Sequence, residues 1–143
     1  MKKYLILLML SGGILLTGCS VDLDTNSTQS ERLSSEAEEL AAQVELARGE
    51  ISPLQDKEIL TQKDIALIIE NIDDVMKKIY EFEEEETSFV VKMAQKVAVK
   101  ELKKKEEILS TIQEKAIKGD LIKEDIRLLV SELSPDFEYK LFK

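Results

Sequence analysis

The spacing of apolar residues in the middle of the chain constrains the fold more than any other feature. Between residues 65 and 82 the intervals are three, four, three, four and three, at Ile65, Ile68, Ile72, Val75, Ile79 and Phe82. Because an α-helix has 3.6 residues per turn, this spacing places all six side chains on one face. Ile69 and Met76 widen that face, which is typical of a helix buried in a globular bundle.

The preceding segment also has the pattern of an amphipathic helix. Its apolar face carries Leu33, Ala37, Leu40, Val44 and Ala47. Gly49 is expected to cap the C-terminus of this helix. Ser52-Pro53 predicts a short helical turn, since proline suits the first position of a helix. Thr61 and Asp64 have the spacing of a capping box, which predicts that the central helix begins there.

Two further helical segments follow. A long helix is predicted from about Ser88 to Lys118, with Gly119 as its cap and an apolar face made of Val91, Ala94, Ala98, Leu102, Leu109, Ile112 and Ala116. A shorter amphipathic helix carries Ile122, Ile126, Leu129 and Leu133, and Ser134-Pro135 begins a last turn with Phe137 and Leu141. No segment keeps the period of two that strands require, so we expect an all-α antiparallel bundle of three to four main helices.

The sequence leaves open whether residues 62–118 form one helix or a hairpin. Phe82 and Phe89 are seven residues apart, so the heptad phase would continue through an unbroken helix. No glycine or proline forces a break between them. One helix would extend about 85 Å at 1.5 Å per residue, too far for the other segments to cover, so we favour a corner at Thr87-Ser88.

The N-terminal residues follow a different pattern. Lys2-Lys3 precede an apolar stretch, residues 4–16, which is too short to cross a bilayer but suits a secretory signal. It ends in a lipobox pattern that contains the only cysteine of the chain: Leu16, Thr17, Gly18 and Cys19. This arrangement resembles the signal sequence of bacterial lipoproteins.

The resemblance to lipoproteins implies a location and a domain organisation. The signal peptide, residues 1–18, would be cleaved before Cys19, which would carry diacylglycerol and palmitate. Two or more acyl chains hold a protein stably on a membrane. We therefore expect a lipidated flexible tether, residues 19–30, and a helical domain, residues 31–143, on the extracytoplasmic face of the cell membrane of a Gram-positive bacterium.

A second resemblance involves residues 118–126, KGDLIKEDI. They are similar to the C-terminal part of small Firmicute lipoproteins of the NDxxF-motif family, although the Asn-Asp-x-x-Phe motif does not occur in this chain. The resemblance covers under a tenth of the chain, and it implies only a secreted helical protein of a similar class.

Composition excludes several classes of function. The chain has no histidine and its only cysteine is expected to be acylated, so a Ser-His-Asp triad, a cysteine–histidine dyad and a histidine-based zinc site cannot form. Loss of Lys2 and Lys3 reduces 20 basic residues to 18 against 29 acidic ones, a formal net charge of −11. This charge argues against nucleic acid as a partner and against a domain lying flat on an anionic membrane.

These exclusions favour a non-enzymatic protein-interaction module at the cell envelope, without cofactor or metal, that binds an envelope or foreign protein. The candidate binding residues are five lysines spaced four, four, three and one apart: Lys92, Lys96, Lys100, Lys103 and Lys104. Basic helix faces bind acidic proteins and membranes. The alternative is a solvated face, with Lys100 and Lys104 opposite Asp74 and Glu70 of the preceding helix.

Three other hypotheses start from other residues. Glu81 and the run 83–86 would attract a divalent cation weakly, because a helical run points in several directions and lacks a calcium loop. A carboxylate-based envelope enzyme would need two converging glutamates in a pocket. Residues 5–12 of the signal peptide resemble the source of short apolar mating pheromones, which predicts a second role as a released signalling peptide.

Overall fold

The computed structural model describes residues 23–134, with the side chains of residues 28–134 except Val90. That range contains four α-helices, one 3₁₀ helix and no β-strand: α1 (Leu23–Ile51), the 3₁₀ helix (Ser52–Asp56), α2 (Gln62–Glu84), α3 (Phe89–Lys118) and α4 (Lys123–Glu132). The predicted all-α bundle is confirmed. The last predicted turn, at Ser134-Pro135 with Phe137 and Leu141, continues outside the described residues.

Helix α2 is the centre of the bundle. It packs along α1 on one side and along α3 on the other, while α1 and α3 have little contact with each other. On its predicted apolar face, Ile65 is half-buried. The other five residues are at most 1% exposed to solvent: Ile68, Ile72, Val75, Ile79 and Phe82. Burying each such side chain stabilises the fold by about 1.5–3 kcal/mol, so the central helix contributes much of the core.

Helix α1 is longer at both ends than the sequence predicted. Gly49 was expected to end it, and this prediction is wrong, because the helix continues to Ile51, which is fully buried four residues after Ala47. The helix also begins at Leu23, so residues 23–30 of the predicted flexible tether are helical. Extending an existing helix costs far less than nucleating one, so a packed helix propagates into a polar segment.

Helix α3 packs through a regular seam, of which the apolar pattern of the sequence predicts only a part. The seam positions alternate by four and three, at Val91, Gln95, Ala98, Leu102, Lys105, Leu109, Ile112 and Ala116. Ala94 was predicted on this face and is exposed instead. Two polar residues, Gln95 and Lys105, therefore occupy core positions, which explains why the middle of the helix looks polar.

The corner between α2 and α3 exists, and Gln95 holds it. Residues 85–88 form a loop, so residues 62–118 are a hairpin rather than one helix. The Gln95 side chain is 5% exposed, and its amide donates to Phe82 O at 2.8 Å and Glu85 O at 3.1 Å. Its Oε1 accepts a hydrogen bond from the Thr87 hydroxyl at 2.9 Å. Carbonyls at a helix C-terminus have no partner within the helix, and Gln95 supplies one from the neighbouring helix.

The predicted capping box at the start of α2 is confirmed. The Thr61 hydroxyl accepts from Asp64 N at 3.2 Å, and Asp64 accepts from Thr61 N at 2.8 Å. The Lys57 ammonium donates to the same carboxylate at 2.7 Å. The hydrogen bond from Lys57, followed by those from Thr61, lowers the pKa of Asp64 to about 2. Asp64 is therefore fully ionised at neutral pH.

The C-terminal end of α3 follows its predicted cap. Gly119 has φ 76°, in the left-handed region that glycine adopts without strain, and its N–H bonds to Ala116 O. Helix α4 begins where the Asp125 carboxylate accepts from Ile122 N at 3.0 Å. Lys115 of α3 donates to the same carboxylate at 2.7 Å. This contact joins α4 to α3.

We expect Gln95→Ala to destabilise the fold by about 1–3 kcal/mol, because it removes the donor for two carbonyls at the end of α2. Urea unfolding followed by circular dichroism measures this change. Gln113→Ala is the matched control, since among the described residues the Gln113 side chain bonds Asp73 at the exposed surface. Equal stability of the two variants would contradict the role of Gln95.

We expect the contribution of Asp64 to the free energy of unfolding to depend on pH between about pH 4 and pH 2. Because its pKa is lowered from 3.8 to about 2, the contribution is complete above about pH 4 and is lost as the pH falls towards 2. The difference in urea midpoint between wild type and Asp64→Asn should therefore shrink across that window. Ser35→Ala, at an exposed position of α1 without a titrating group, should show no such trend.

Candidate interaction surface

The five predicted lysines form an exposed basic stripe on the outer side of α3. Lys92, Lys96, Lys100, Lys103 and Lys104 are all solvent-exposed. Lys100 lies two residues from both Ala98 and Leu102, which are buried. At 100° per residue, two positions correspond to about 200°, so Lys100 points away from the bundle. Lys100 is therefore directed to solvent, whereas Lys103, although exposed, lies close enough to α2 for its charge to act on Glu83.

The predicted pairing of this stripe with α2 is wrong. Lys104 bonds Glu101 on its own helix at 2.8 Å, and the ion pairs of the described residues do not join Lys100 to Asp74 or Lys104 to Glu70. The register explains the difference. Gln113 donates to Asp73 at 2.6 Å, about three turns further along α3 than the predicted pairing implies. Residues 85–88 form a loop between the two helices, so an alignment counted from a two-residue corner at Thr87-Ser88 does not apply.

Three exposed apolar side chains accompany the lysines. Phe89, Met93 and Val97 are 80%, 63% and 60% exposed and are spaced four residues apart, so they form one row along the first turns of α3. We call this row the apolar ridge. Exposed contiguous apolar patches on a small protein mark interaction sites more often than isolated apolar residues do. The ridge was not predicted from the sequence, although its three apolar residues, spaced four apart beside the lysines, are a visible signal.

The ridge is exposed because the corner changes the helical phase. Phe82 and Phe89 are seven residues apart and would share a face in one continuous helix. In the hairpin Phe82 is fully buried and Phe89 is 80% exposed. The loop between the two residues turns the start of α3 so that Val91 and Gln95 face the core. The tertiary fold, rather than the local pattern, therefore creates the apolar ridge.

The corner itself is acidic and lies at the end of the bundle where α1 begins. Ser88 N donates to the Gln29 side chain of α1. Glu84 and Glu86 are exposed immediately before Phe89. The N-terminal end of α1, the acidic corner and the start of the apolar ridge are therefore neighbours.

The glutamates near the corner have separate local environments. Burial raises the pKa of Glu36 most, and the carboxylates of Glu39 and Glu81 raise it further. Burial, followed by the Glu106 carboxylate, raises the pKa of Glu83. Glu36 and Glu83 are therefore perturbed by different neighbouring carboxylates.

Two glutamates of this segment, Glu81 and Glu84, have local partners. Glu81 accepts from Lys78 at 2.7 Å, and Glu84 accepts from the Tyr80 hydroxyl, which raises the pKa of Tyr80. Within residues 23–134, no three acidic side chains converge in a way that could hold a metal ion. The glutamates therefore contribute negative potential at the corner without forming a cation cage.

The lipobox residues Leu16, Thr17, Gly18 and Cys19 and the peptide at residues 5–12 lie outside the described residues. None of the described helices is both long and apolar enough to span a bilayer. No protein-family model, curated protein or solved structure matches this chain. The basic stripe and the apolar ridge on the outer face of α3 are therefore the surface features from which a function is inferred.

We expect the two phenylalanines to differ sharply in their effect on stability. Phe82→Ala should cost about 3–5 kcal/mol, because it leaves a cavity between α2 and its neighbours. Phe89→Ala should change stability by less than about 0.5 kcal/mol, because its side chain is largely in water. Chemical denaturation of both variants measures the difference, and similar losses would mean that Phe89 is buried.

Proposed function

We propose that the protein is a lipid-anchored, extracytoplasmic, non-enzymatic module that binds another protein at the cell envelope through the outer face of α3. The observation that carries the proposal is the apolar ridge beside the basic stripe. Burying a large apolar side chain favours association by up to about 1.5–3 kcal/mol, so this face gains from a partner. The lysines beside it add attraction for acidic groups.

The arrangement of the chain supports the same function. The core is formed by α2 packed between α1 and α3, with α4 packed against α3, α1 and the 3₁₀ helix, and the ridge is outside that core. Changes on the outer face therefore need not disturb folding. The predicted acylation of Cys19 would keep the module on the membrane, while the chain lacks histidine and offers no second cysteine for catalysis.

The binding role is tested by co-purification of the tagged, lipidated protein from solubilised membranes. The stripe variant Lys96→Glu with Lys100→Glu should lose the partner protein. The control variant, Lys63→Glu with Lys77→Glu, has the same net charge but changes exposed residues of α2, and it should retain the partner. Binding of only a soluble small molecule, or no reproducible partner in any sample, would contradict the proposal.

The anchoring role is tested at Cys19. We expect Cys19→Ala to prevent lipidation and lipoprotein-type cleavage, and globomycin should block cleavage of the wild type. Membrane fractionation after an alkaline wash, with mass spectrometry of the N-terminal peptide, measures both steps. If Cys19→Ala still fractionates entirely with membranes, the uncleaved signal or another anchor holds the protein.

A further inference from the structure

The outer face of α3 has a shape that restricts its partner. The apolar ridge is convex and one residue wide, and it extends about 12 Å from Phe89 to Val97 at 1.5 Å per residue. A row of side chains at intervals of four packs into the groove between rows on another helix. An extended peptide that adds to a sheet needs a free strand edge, and residues 23–134 contain no strand. The geometry thus favours a helix as the partner.

The charge around the ridge restricts the partner further. Residues 89–105 contain six lysines and one acidic residue, Glu101, within a chain whose formal net charge is −9. Lys92 and Lys96 each precede a ridge residue by one position, so they follow the ridge along one side. Lys100 and Lys104 continue the line of the ridge towards the C-terminus. A complementary helix would carry acidic residues beside and beyond its apolar row.

A second copy of the chain does not fit this face. Two α3 helices that packed through their ridges would bring one basic stripe against the other in either direction, and like charges across an interface are unfavourable. Pairing through Lys104 and Glu101 offers little compensation, since these two residues already bind each other at 2.8 Å.

An anionic membrane fits the face less well than an acidic protein does. The ridge begins beside the acidic corner, where Glu84 and Glu86 are exposed. The bond between Ser88 and Gln29 places this corner at the same end of the bundle as the start of α1. With Cys19 acylated, that end would be nearest the bilayer, and its glutamates would oppose close approach to anionic lipid. The outer face of α3 would then remain accessible from the side.

From these observations we infer that the partner is an acidic amphipathic helix of another protein, lying along α3 from Phe89 to Lys104. The inference rests on the proposed binding function and names the class of partner. The apolar row of the partner helix covers Phe89, Met93 and Val97. Its acidic residues face the basic stripe and set the orientation and register of the complex.

Photo-crosslinking tests the inference in cells that express the lipidated protein. p-Benzoylphenylalanine replaces Val97 on the ridge or, as the control, Ile117, which is 68% exposed near the other end of the same helix. Circular dichroism checks that both variants fold. The Val97 adduct should contain a peptide of another protein that is rich in Asp and Glu, with apolar residues three or four positions apart, and the Ile117 adduct should not.

Several crosslinking outcomes would overturn the inference. A Val97 adduct with phospholipid would mean that α3 lies on the bilayer, and an adduct with a second copy would mean self-association. A peptide without acidic residues, or no adduct at Val97, would also exclude an acidic helix. If co-purification still depends on Lys96 and Lys100 in those cases, the binding function stands and only the class of partner is wrong.

Charge reversal gives a second test with a defined probe. The crosslinked segment is synthesised as a peptide, and its binding to the lipidated protein in phosphatidylcholine vesicles is measured by calorimetry. Lys96→Glu with Lys100→Glu should weaken binding at least about tenfold, and a peptide with two acidic residues changed to lysine should restore it. Lys63→Glu with Lys77→Glu should leave the affinity unchanged. Equal binding to all three proteins would exclude recognition by the basic stripe.

Discussion

The hydrogen bonds of the Gln95 side chain are the constraint on which the rest of the bundle depends. No glycine or proline lies between residues 54 and 118, so the backbone itself does not require a break there. The break is held because one buried amide bonds the carbonyls of Phe82 and Glu85 and accepts from Thr87. Leaving those carbonyls without a donor would cost free energy of folding. The rotation of α3 that points Gln95 towards the end of α2 avoids this cost.

Other polar contacts select the register of the remaining interfaces. Apolar seams with heptad spacing permit several alignments of similar packing energy, whereas a buried polar group is satisfied in only one. Asn71, which is 4% exposed on α2, donates to Glu50 of α1 at 2.8 Å. Lys105, at a seam position of α3, bonds the Glu132 carboxylate of α4 at 2.7 Å. Each polar contact therefore specifies the alignment of one pair of helices, while burial of the aliphatic core supplies most of the free energy of folding.

The same corner separates the charges of the surface. It brings the glutamates before Phe89 to the end of the bundle where α1 begins, and it turns the lysines of α3 outward along the side. An acidic protein thereby acquires one basic face with an apolar ridge. Because electrostatic attraction acts before contact, such a face favours acidic partners over neutral ones.

The sequence by itself determined the class of fold, the central helix, the capping box at Thr61 and the cap at Gly119, because helical spacing and capping depend on residues within a few positions of one another. It also identified the five lysines as exposed candidates. Only the tertiary structure decided that α1 continues past Gly49, that Gln95 rather than Ala94 faces the core, and that Phe89 is exposed. Those outcomes depend on which groups meet across helices: the buried amide of Gln95 finds its carbonyls 10 to 13 residues earlier in the chain, a separation that no local pattern records.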